Sequence, residues 1–81
     1  YKLWLPLAEQ GDASAQYNLG TMYAKGQGVP QDYVSAHMWL NLSGVNGKKS
    51  AVKNRNIIEN KMTPQQIEKA QEMARNWKPK K

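Results

Sequence analysis

The chain has 81 residues, no cysteine and a formal net charge of +6. A chain of this length favours a single domain with a small core, because it buries only about 60–65% of the surface of its unfolded form. The lack of cysteine excludes disulfide bonds, thiolate metal sites and a cysteine nucleophile. No apolar run of the sequence is long enough to span a membrane.

The basic residues are concentrated in the C-terminal part of the chain. Residues 48–81 hold ten Lys or Arg against three Glu, whereas residues 1–47 hold two Lys against three acidic residues. This asymmetry is typical either of a surface that meets an anionic partner or of a solvated end. The first residue is Tyr1 rather than Met and lies within a helical pattern, so we expect a fragment of a longer protein. Exported, periplasmic and cytoplasmic locations are all compatible with these features.

Apolar spacing predicts five helices and no strand. The first helix covers residues 1–10, and Pro6 is expected to kink or shorten it. The second covers residues 12–25 and begins at Asp12, a typical N-cap. The glycines and the proline around residues 27–31 then predict a loop.

The last three helices follow this loop. The third covers residues 32–45, with Asp32 placed to cap its positive end. The fourth covers residues 48–61 and has a mostly polar surface. The fifth has the clearest start, because Thr63-Pro64-Gln65-Gln66 is typical of an N-cap, a first-turn proline and a capping-box glutamine. Pro79 is expected to end it.

Each helix carries residues at spacings of three and four that predict a face toward the core. They are Leu3, Trp4, Leu7 and Ala8 in the first helix, Ala15, Leu19, Met22 and Tyr23 in the second, Tyr33, Ala36, Trp39, Leu40 and Ser43 in the third, Ala51, Arg55, Ile58 and Met62 in the fourth, and Ile67, Ala70, Ala74 and Trp77 in the fifth. Together these faces predict an all-α domain.

The sequence also repeats itself at an offset of 36 residues. Gly11-Asp12-Ala13-Ser14-Ala15 matches Gly47-Lys48-Lys49-Ser50-Ala51, and Leu3-Trp4 matches Trp39-Leu40. Two helices per unit at such a period are typical of an α-solenoid, in which helix pairs stack on one another.

One group of residues carries a more specific pattern. It consists of Ala8–Ala13, Ala15, Leu19–Tyr23, Lys25–Val29, Asp32, Ala36 and Trp39. The pattern resembles a Sel-one-like repeat, a family of the tetratricopeptide superfamily, and more than ten positions agree within one unit. The resemblance implies an all-α right-handed superhelix, or solenoid, of antiparallel helix pairs.

The resemblance also implies a division of the single domain 1–81. Residues 12–47 form the full repeat, and residues 1–11 correspond to the second helix of a preceding repeat. Residues 48–77 form a divergent C-terminal capping pair, and residues 78–81 a basic tail.

Some positions are expected to serve the packing of the repeat rather than a partner. They are Ala15, Leu19, Gly20, Tyr23, Gly26, Gly28, Val29, Asp32, Ala36, Trp39 and Gly47. At Gly20 the missing side chain lets a neighbouring helix approach closely. One repeat later this position is Asn56, and Arg55 and Glu59 likewise replace apolar or aromatic residues. Because the end of a solenoid needs a polar outer surface, these departures predict a cap and make a binding face in this unit doubtful.

No arrangement of residues points to catalysis. His37, the single histidine, has no ligand set near it in sequence, and we expect a structural or surface role. Gly26-Gln27-Gly28 lacks the spacing of a phosphate loop and is expected to be a turn. Glu68 and Glu72 lie one helical turn apart and are expected to be solvated. We therefore predict no enzyme activity, no catalytic residue, no cofactor and no metal.

The resemblance implies a non-catalytic protein–protein interaction module, an adaptor or scaffold that presents a concave groove to a protein or peptide partner. In bacteria such repeats are often exported or linked to signalling. In the superfamily the first helix of each repeat lines the groove. The matching residues here are Ser14, Tyr17, Asn18, Thr21 and Lys25. Their hydrogen-bonding groups and one aromatic ring suit a bound peptide.

An alternative is an anion-binding module that acts through the basic C-terminal part. Its basic patch consists of Lys48, Lys49, Lys53, Arg55 and Lys61. The patch suits an acidic protein, a nucleic acid or an anionic lipid, and such binding would depend on salt. Nucleic acid is the less favoured partner, because Trp77, the one aromatic residue in this region, fits the core. A weak self-association through Leu3 and Trp4 of the first helix is a further expectation.

Overall fold

Residues 4–78, apart from the side chain of Trp4, are described by a computed structural model. They form α1 (Trp4–Glu9), α2 (Ala13–Lys25), α3 (Tyr33–Val45), α4 (Lys49–Glu59) and α5 (Pro64–Asn76). No strand occurs in this range, so the predicted all-α fold is confirmed. The superhelical arrangement stays a prediction. The contacts predicted for Leu3 and Trp4, and the tail residues Pro79, Lys80 and Lys81, lie outside the described residues.

Three helices begin at the caps that the sequence predicts. Asp12 accepts a hydrogen bond from the N–H of the third residue of α2, at 2.8 Å. Asp32 accepts bonds from two N–H groups at the start of α3. Thr63 and Gln66 exchange both hydrogen bonds of the capping box before α5. The start of α4 differs, because Lys48 provides no side-chain cap.

The turn after α1 recurs 36 residues later, after α3. Gly11 and Gly47 have φ values of +100° and +105°, in the left-handed region that glycine adopts at low cost. The next residue in each turn donates its N–H to the carbonyl five positions back, at 3.1 Å from Asp12 and 3.0 Å from Lys48. The sequence match at this offset is therefore also a match in backbone structure.

The core is organised around α3, which packs against α2, α4 and α5. The first cluster of buried residues joins α3 to α1, α2 and the end of α5: Ala8, Ala15, Leu19, Met38, Trp39, Leu42 and Ala74. The second cluster joins α3 to α4 and α5: Ala36, Leu40, Ala51, Ile58, Met62 and Ala70. The Trp77 ring packs against the first cluster and makes a T-shaped contact with Trp39, at 6.1 Å between ring centroids. α3 thus carries both halves of the core.

Leu7 departs from the predicted apolar faces. Its side chain is 43% exposed, whereas Leu5 packs against the first cluster and Ala8 is fully buried. The prediction that Leu7 faces the core is wrong. Because α1 packs mainly against α2, only a narrow stripe of this helix is covered.

The predicted close approach at Gly20 is confirmed. A Cβ atom at this position would lie 2.8 Å from Cγ of Leu40 and 3.2 Å from the carbonyl oxygen of Ala36. A second close approach, which the sequence pattern did not reveal, occurs at Gly44 between α3 and α4. A Cβ atom there would lie 2.6 Å from Cγ2 of Val52. Glycine therefore sets the spacing of α3 from both of its neighbours in the chain.

The other predicted packing positions differ in burial. Ala15, Leu19, Ala36 and Trp39 are buried, and Tyr23 and Val29 are half-buried. Gly26 and Gly28 have φ values of +69° and +75°, as a chain reversal after α2 requires. Within residues 4–78, no helix is both long and apolar enough to cross a membrane.

Candidate binding cleft between α2 and α4

α2 and α3 are antiparallel. Ser43, near the end of α3, donates a hydrogen bond to the carbonyl of Ala13 at the start of α2, at 2.6 Å. At the other end, the N–H of Asp32 donates to the carbonyl of Tyr23, at 3.0 Å. The end of α3 therefore lies beside the start of α2, and the start of α3 lies beside the end of α2.

α3 and α4 are antiparallel in the same way. Gly44, near the end of α3, lies against Val52 in the first part of α4. His37, in the first part of α3, contacts Glu59 at the end of α4. Because α2 and α4 both run opposite to α3, they run parallel to each other, one repeat apart.

A cleft of about 340 Å³ opens between these two parallel helices. Its lining residues are Tyr17, Thr21, Ala24 and Lys25 of α2, Tyr33 and Leu40 of α3, Asn54, Ile57 and Ile58 of α4, and Lys61 just after α4. Leu40 and Ile58 are buried and belong to the second cluster, so they form an apolar floor. Ile57 is 52% exposed and offers an apolar surface at the rim.

A hydrogen bond bridges one end of the cleft. Asn54 of α4 donates its amide N–H to the Tyr17 hydroxyl of α2, at 3.0 Å. The Lys48 ammonium lies over the Tyr17 ring, 5.6 Å from its centroid, within the range of a cation–π contact. These two contacts hold the aromatic ring against α4.

Two lysines mark the opposite end of the cleft. Lys25 is the last residue of α2, and Lys61 follows α4 by two residues. Both side chains are exposed. Lys25 lies eight residues after Tyr17, which is about 12 Å along a helix. The cleft therefore has the Tyr17–Asn54 hydrogen bond at one end, with the Lys48 ammonium over the tyrosine ring, and the two lysines at the other end.

Only some of the residues predicted to form the groove line this cleft. Tyr17, Thr21 and Lys25 line it, whereas Ser14 and Asn18 are not among its lining residues. Ser14 is exposed and Asn18 is half-buried. Thr21 donates its hydroxyl to the carbonyl of Tyr17 at 2.9 Å, so this hydroxyl already serves α2 itself.

The five residues of the predicted basic patch have different surroundings. Lys61 lines the cleft, Lys48 lies over an aromatic ring, and Lys49 and Lys53 are exposed on α4. Arg55 is half-buried and donates hydrogen bonds at 2.6 Å to the side chain of Asn41 and at 3.2 Å to that of Asn56. Its guanidinium is thus occupied with neighbouring side chains.

Several cleft residues were missed because the groove prediction stopped at the first helix of the full repeat. Applying the 36-residue offset to Asn18, Thr21 and Lys25 gives Asn54, Ile57 and Lys61. All three of these equivalents line the cleft. The altered packing residues of the second helix pair had made a binding face there doubtful. The structure places its cleft-facing residues beside those of α2 nevertheless.

His37 has a structural environment. Its side chain is 1% exposed, and Nε2 lies 3.1 Å from a carboxylate oxygen of Glu59. The carboxylate nearest to it in sequence, Asp32, instead caps α3. Among residues 4–78, no group of three or more His, Cys, Asp or Glu side chains is arranged to hold a metal ion.

The comparisons with known proteins agree with the fold. Residues 13–44 match the family model of the Sel1 repeat. The match begins at the first residue of α2 and ends one residue before the end of α3, so it covers one antiparallel helix pair. A search of curated proteins found no match to the chain.

Proposed function

Because the chain carries a Sel1 repeat, we propose that it is an adaptor or scaffold module that binds a protein or peptide in the cleft between α2 and α4. Sel1 repeats generally mediate protein–protein interaction and are typically non-catalytic. The cleft is the surface that supports this role best. It lies where two successive repeat units meet, on the first helix of each.

The observation that carries the proposal is an open apolar cleft with polar ends. Leu40 and Ile58 supply its floor, and the Ile57 side chain stays about half exposed at its rim. Sites that bind ligands are concave and mostly apolar, with a few polar groups that fix orientation. The helices that form the walls are held by the core, so binding requires little ordering of the chain.

A second candidate function is anion binding through the basic patch. Lys49 and Lys53 lie one helical turn apart, and both are exposed. Neither lysine has a carboxylate within salt-bridge distance among residues 4–78. Binding of a nucleic acid or an anionic lipid to this surface would fall steeply as salt is raised.

Affinity capture from a lysate of the source cells tests both candidates. The cleft variant is Lys25→Glu/Ile57→Ser, and the matched control is Lys49→Glu/Val45→Ser. The control makes the same two kinds of substitution at exposed positions outside the cleft, since Val45 is 79% exposed. Wild type and both variants are compared at low and at high salt.

We expect wild type and control to retain a protein at high salt that the cleft variant loses. Equal retention of that protein by all three chains would exclude the cleft as its binding surface. Nucleic acid retained only at low salt, equally by wild type and the cleft variant, would transfer the function to the basic patch.

A further inference from the structure

We propose that the cleft selects a short acidic peptide segment, in which an apolar side chain lies close to a carboxylate. This inference rests on the proposed function, because it names the chemistry of the partner that the cleft would bind. It follows from three features of the cleft: its paired lysines, its size and its tyrosine end.

The lysine pair is a product of the repeat. Lys25 and Lys61 are 36 residues apart, and α2 and α4 are parallel, so both ammonium groups lie at the same end of one cleft. A lysine in the last turn of a helix stabilises that helix by itself, and a single one would therefore indicate little. Here, however, two such lysines lie on the two opposite walls of the same cleft.

The positive charge at this end has no counter-charge in the cleft. None of the residues that line it within 4–78 is acidic. Asp32 begins α3 at this end, but its carboxylate accepts bonds from the N–H groups of Val34 and Ser35 and from the Ser35 hydroxyl. Glu59 does not line the cleft, and its carboxylate lies 3.1 Å from Nε2 of the buried His37. An incoming carboxylate would therefore meet two ammonium groups with no carboxylate among the lining residues within 4–78.

The size of the cleft limits what can enter it. A volume of about 340 Å³ is at the lower end of the range for small-molecule sites, roughly 300–1,000 Å³. It admits one or two side chains rather than a packed helix. Ile57 at the rim and Leu40 in the floor supply the apolar contact for such a side chain. The occupant is thus an extended segment with one apolar anchor.

The tyrosine end supplies a hydrogen-bond donor. The Tyr17 hydroxyl accepts a bond from Asn54, which leaves its own proton for an acceptor in the cleft. The distance of about 12 Å from Tyr17 to Lys25 along α2 corresponds to roughly four residues of extended chain. We therefore infer a segment of about four residues, with a carboxylate at the lysine end, an apolar side chain between, and a backbone carbonyl at Tyr17.

A random-peptide display library tests the proposal directly, because it samples many sequences and needs no identified partner. It is selected against the immobilised 81-residue wild type, the charge-reversed variant Lys25→Glu/Lys61→Glu and the control Lys49→Glu/Lys53→Glu. The control has the same net charge as the charge-reversed variant, but its substitutions lie outside the cleft lining. Thermal melting of each chain verifies that it is folded.

We expect wild type and control to enrich peptides with Asp or Glu within about four residues of a Leu, Ile or Phe. The charge-reversed variant should lose these peptides and enrich basic ones instead. Fluorescence anisotropy with the most enriched peptide should show a loss of affinity of about tenfold on charge reversal and little change for the control.

An Ile57→Ser arm separates this inference from the proposed function. Peptides that lose binding in Ile57→Ser but show no acidic bias would overturn the inference and leave the cleft as a binding surface. If wild type enriches no peptide that Ile57→Ser loses, both proposals fail. A single-stranded DNA oligonucleotide whose binding depends on Lys25 and Lys61 would assign the cleft to phosphates and overturn the peptide proposal.

Discussion

The two helix pairs of the chain, α2 with α3 and α4 with α5, match in sequence at the 36-residue offset but pack differently. In the first pair, α2 and α3 pack closely, with Gly20 of α2 directly against α3. In the second pair, α5 packs against α3 rather than closely along α4. The position equivalent to Gly20 is Asn56, which is exposed. The second pair thus lacks the glycine that lies at the close contact of the first pair.

The neighbouring position shows the same contrast. Leu19 is fully buried in the first cluster, whereas its equivalent, Arg55, is half-buried and bonded to the side chains of Asn41 and Asn56. The cleft-lining positions Ile57 and Lys61 nevertheless lie opposite their equivalents in α2, Thr21 and Lys25. The second pair has therefore lost the residues for close pairing but kept those that form the cleft.

The largest expected effect distinguishes Leu19 from Arg55. Leu19→Ala removes a fully buried side chain and should lower the free energy of unfolding by about 3 kcal/mol. Arg55→Ala should lower it by only about 1 kcal/mol, since it removes hydrogen bonds of a half-buried group whose Nε has no partner among residues 4–78. Urea unfolding followed by circular dichroism measures both. Equal losses would contradict the assigned difference between the helix pairs.

A second comparison introduces valine at Gly20 and at the equivalent position one repeat later, Asn56. Gly20→Val should cost about 2 kcal/mol, because its Cβ would lie within 3.2 Å of a backbone oxygen of α3 that cannot easily move. This corresponds to a decrease in Tm of at least about 8 °C. Asn56→Val, at an exposed position, should change stability by no more than about 0.5 kcal/mol. An unchanged Tm in Gly20→Val would contradict the close approach of α2 and α3.

The helix caps give the smallest effects. Asp12→Ala removes the cap of α2 and should cost about 1 kcal/mol. Lys48→Asp supplies α4 with the cap it lacks, but it also removes the contact with the Tyr17 ring. The two contributions offset each other in part, so we expect a gain of no more than about 0.5 kcal/mol. Thermal melting at low salt measures both changes, and a loss of stability in Lys48→Asp would show that the ring contact dominates.

Local sequence signals predict the helices of this chain well. Asp12, Asp32 and Thr63 cap the helices that they are predicted to cap, because a cap depends on a few adjacent residues. Contacts between residues that are far apart in the sequence were harder to predict. Gln16 illustrates this, since its buried amide donates to the carbonyl of Ala8 and accepts from the side chain of Asn46. Gln16 lies outside the core face that the apolar spacing predicts for α2, so its burial was not predicted.

The candidate site was predictable to the extent that the repeat determines it. The resemblance to the repeat family gave Tyr17, Thr21 and Lys25 of α2, which line the cleft. They share one side of the helix because they are spaced four residues apart. The opposite wall required the 36-residue offset, which yields Ile57 and Lys61. The floor residues from α3 could not be found in this way, because their exposure to the cleft depends on the spacing of all three helices.

The most direct test of the binding cleft is an NMR titration of the ¹⁵N-labelled chain. The ligand is a synthetic peptide with one leucine flanked on each side by two glutamates. We expect the largest amide shift changes at Thr21, Lys25, Ile57 and Lys61, on both walls of the cleft. Changes confined to the surface around Lys49 and Lys53, with the cleft amides unmoved, would contradict the claim that α2 and α4 together bind the partner.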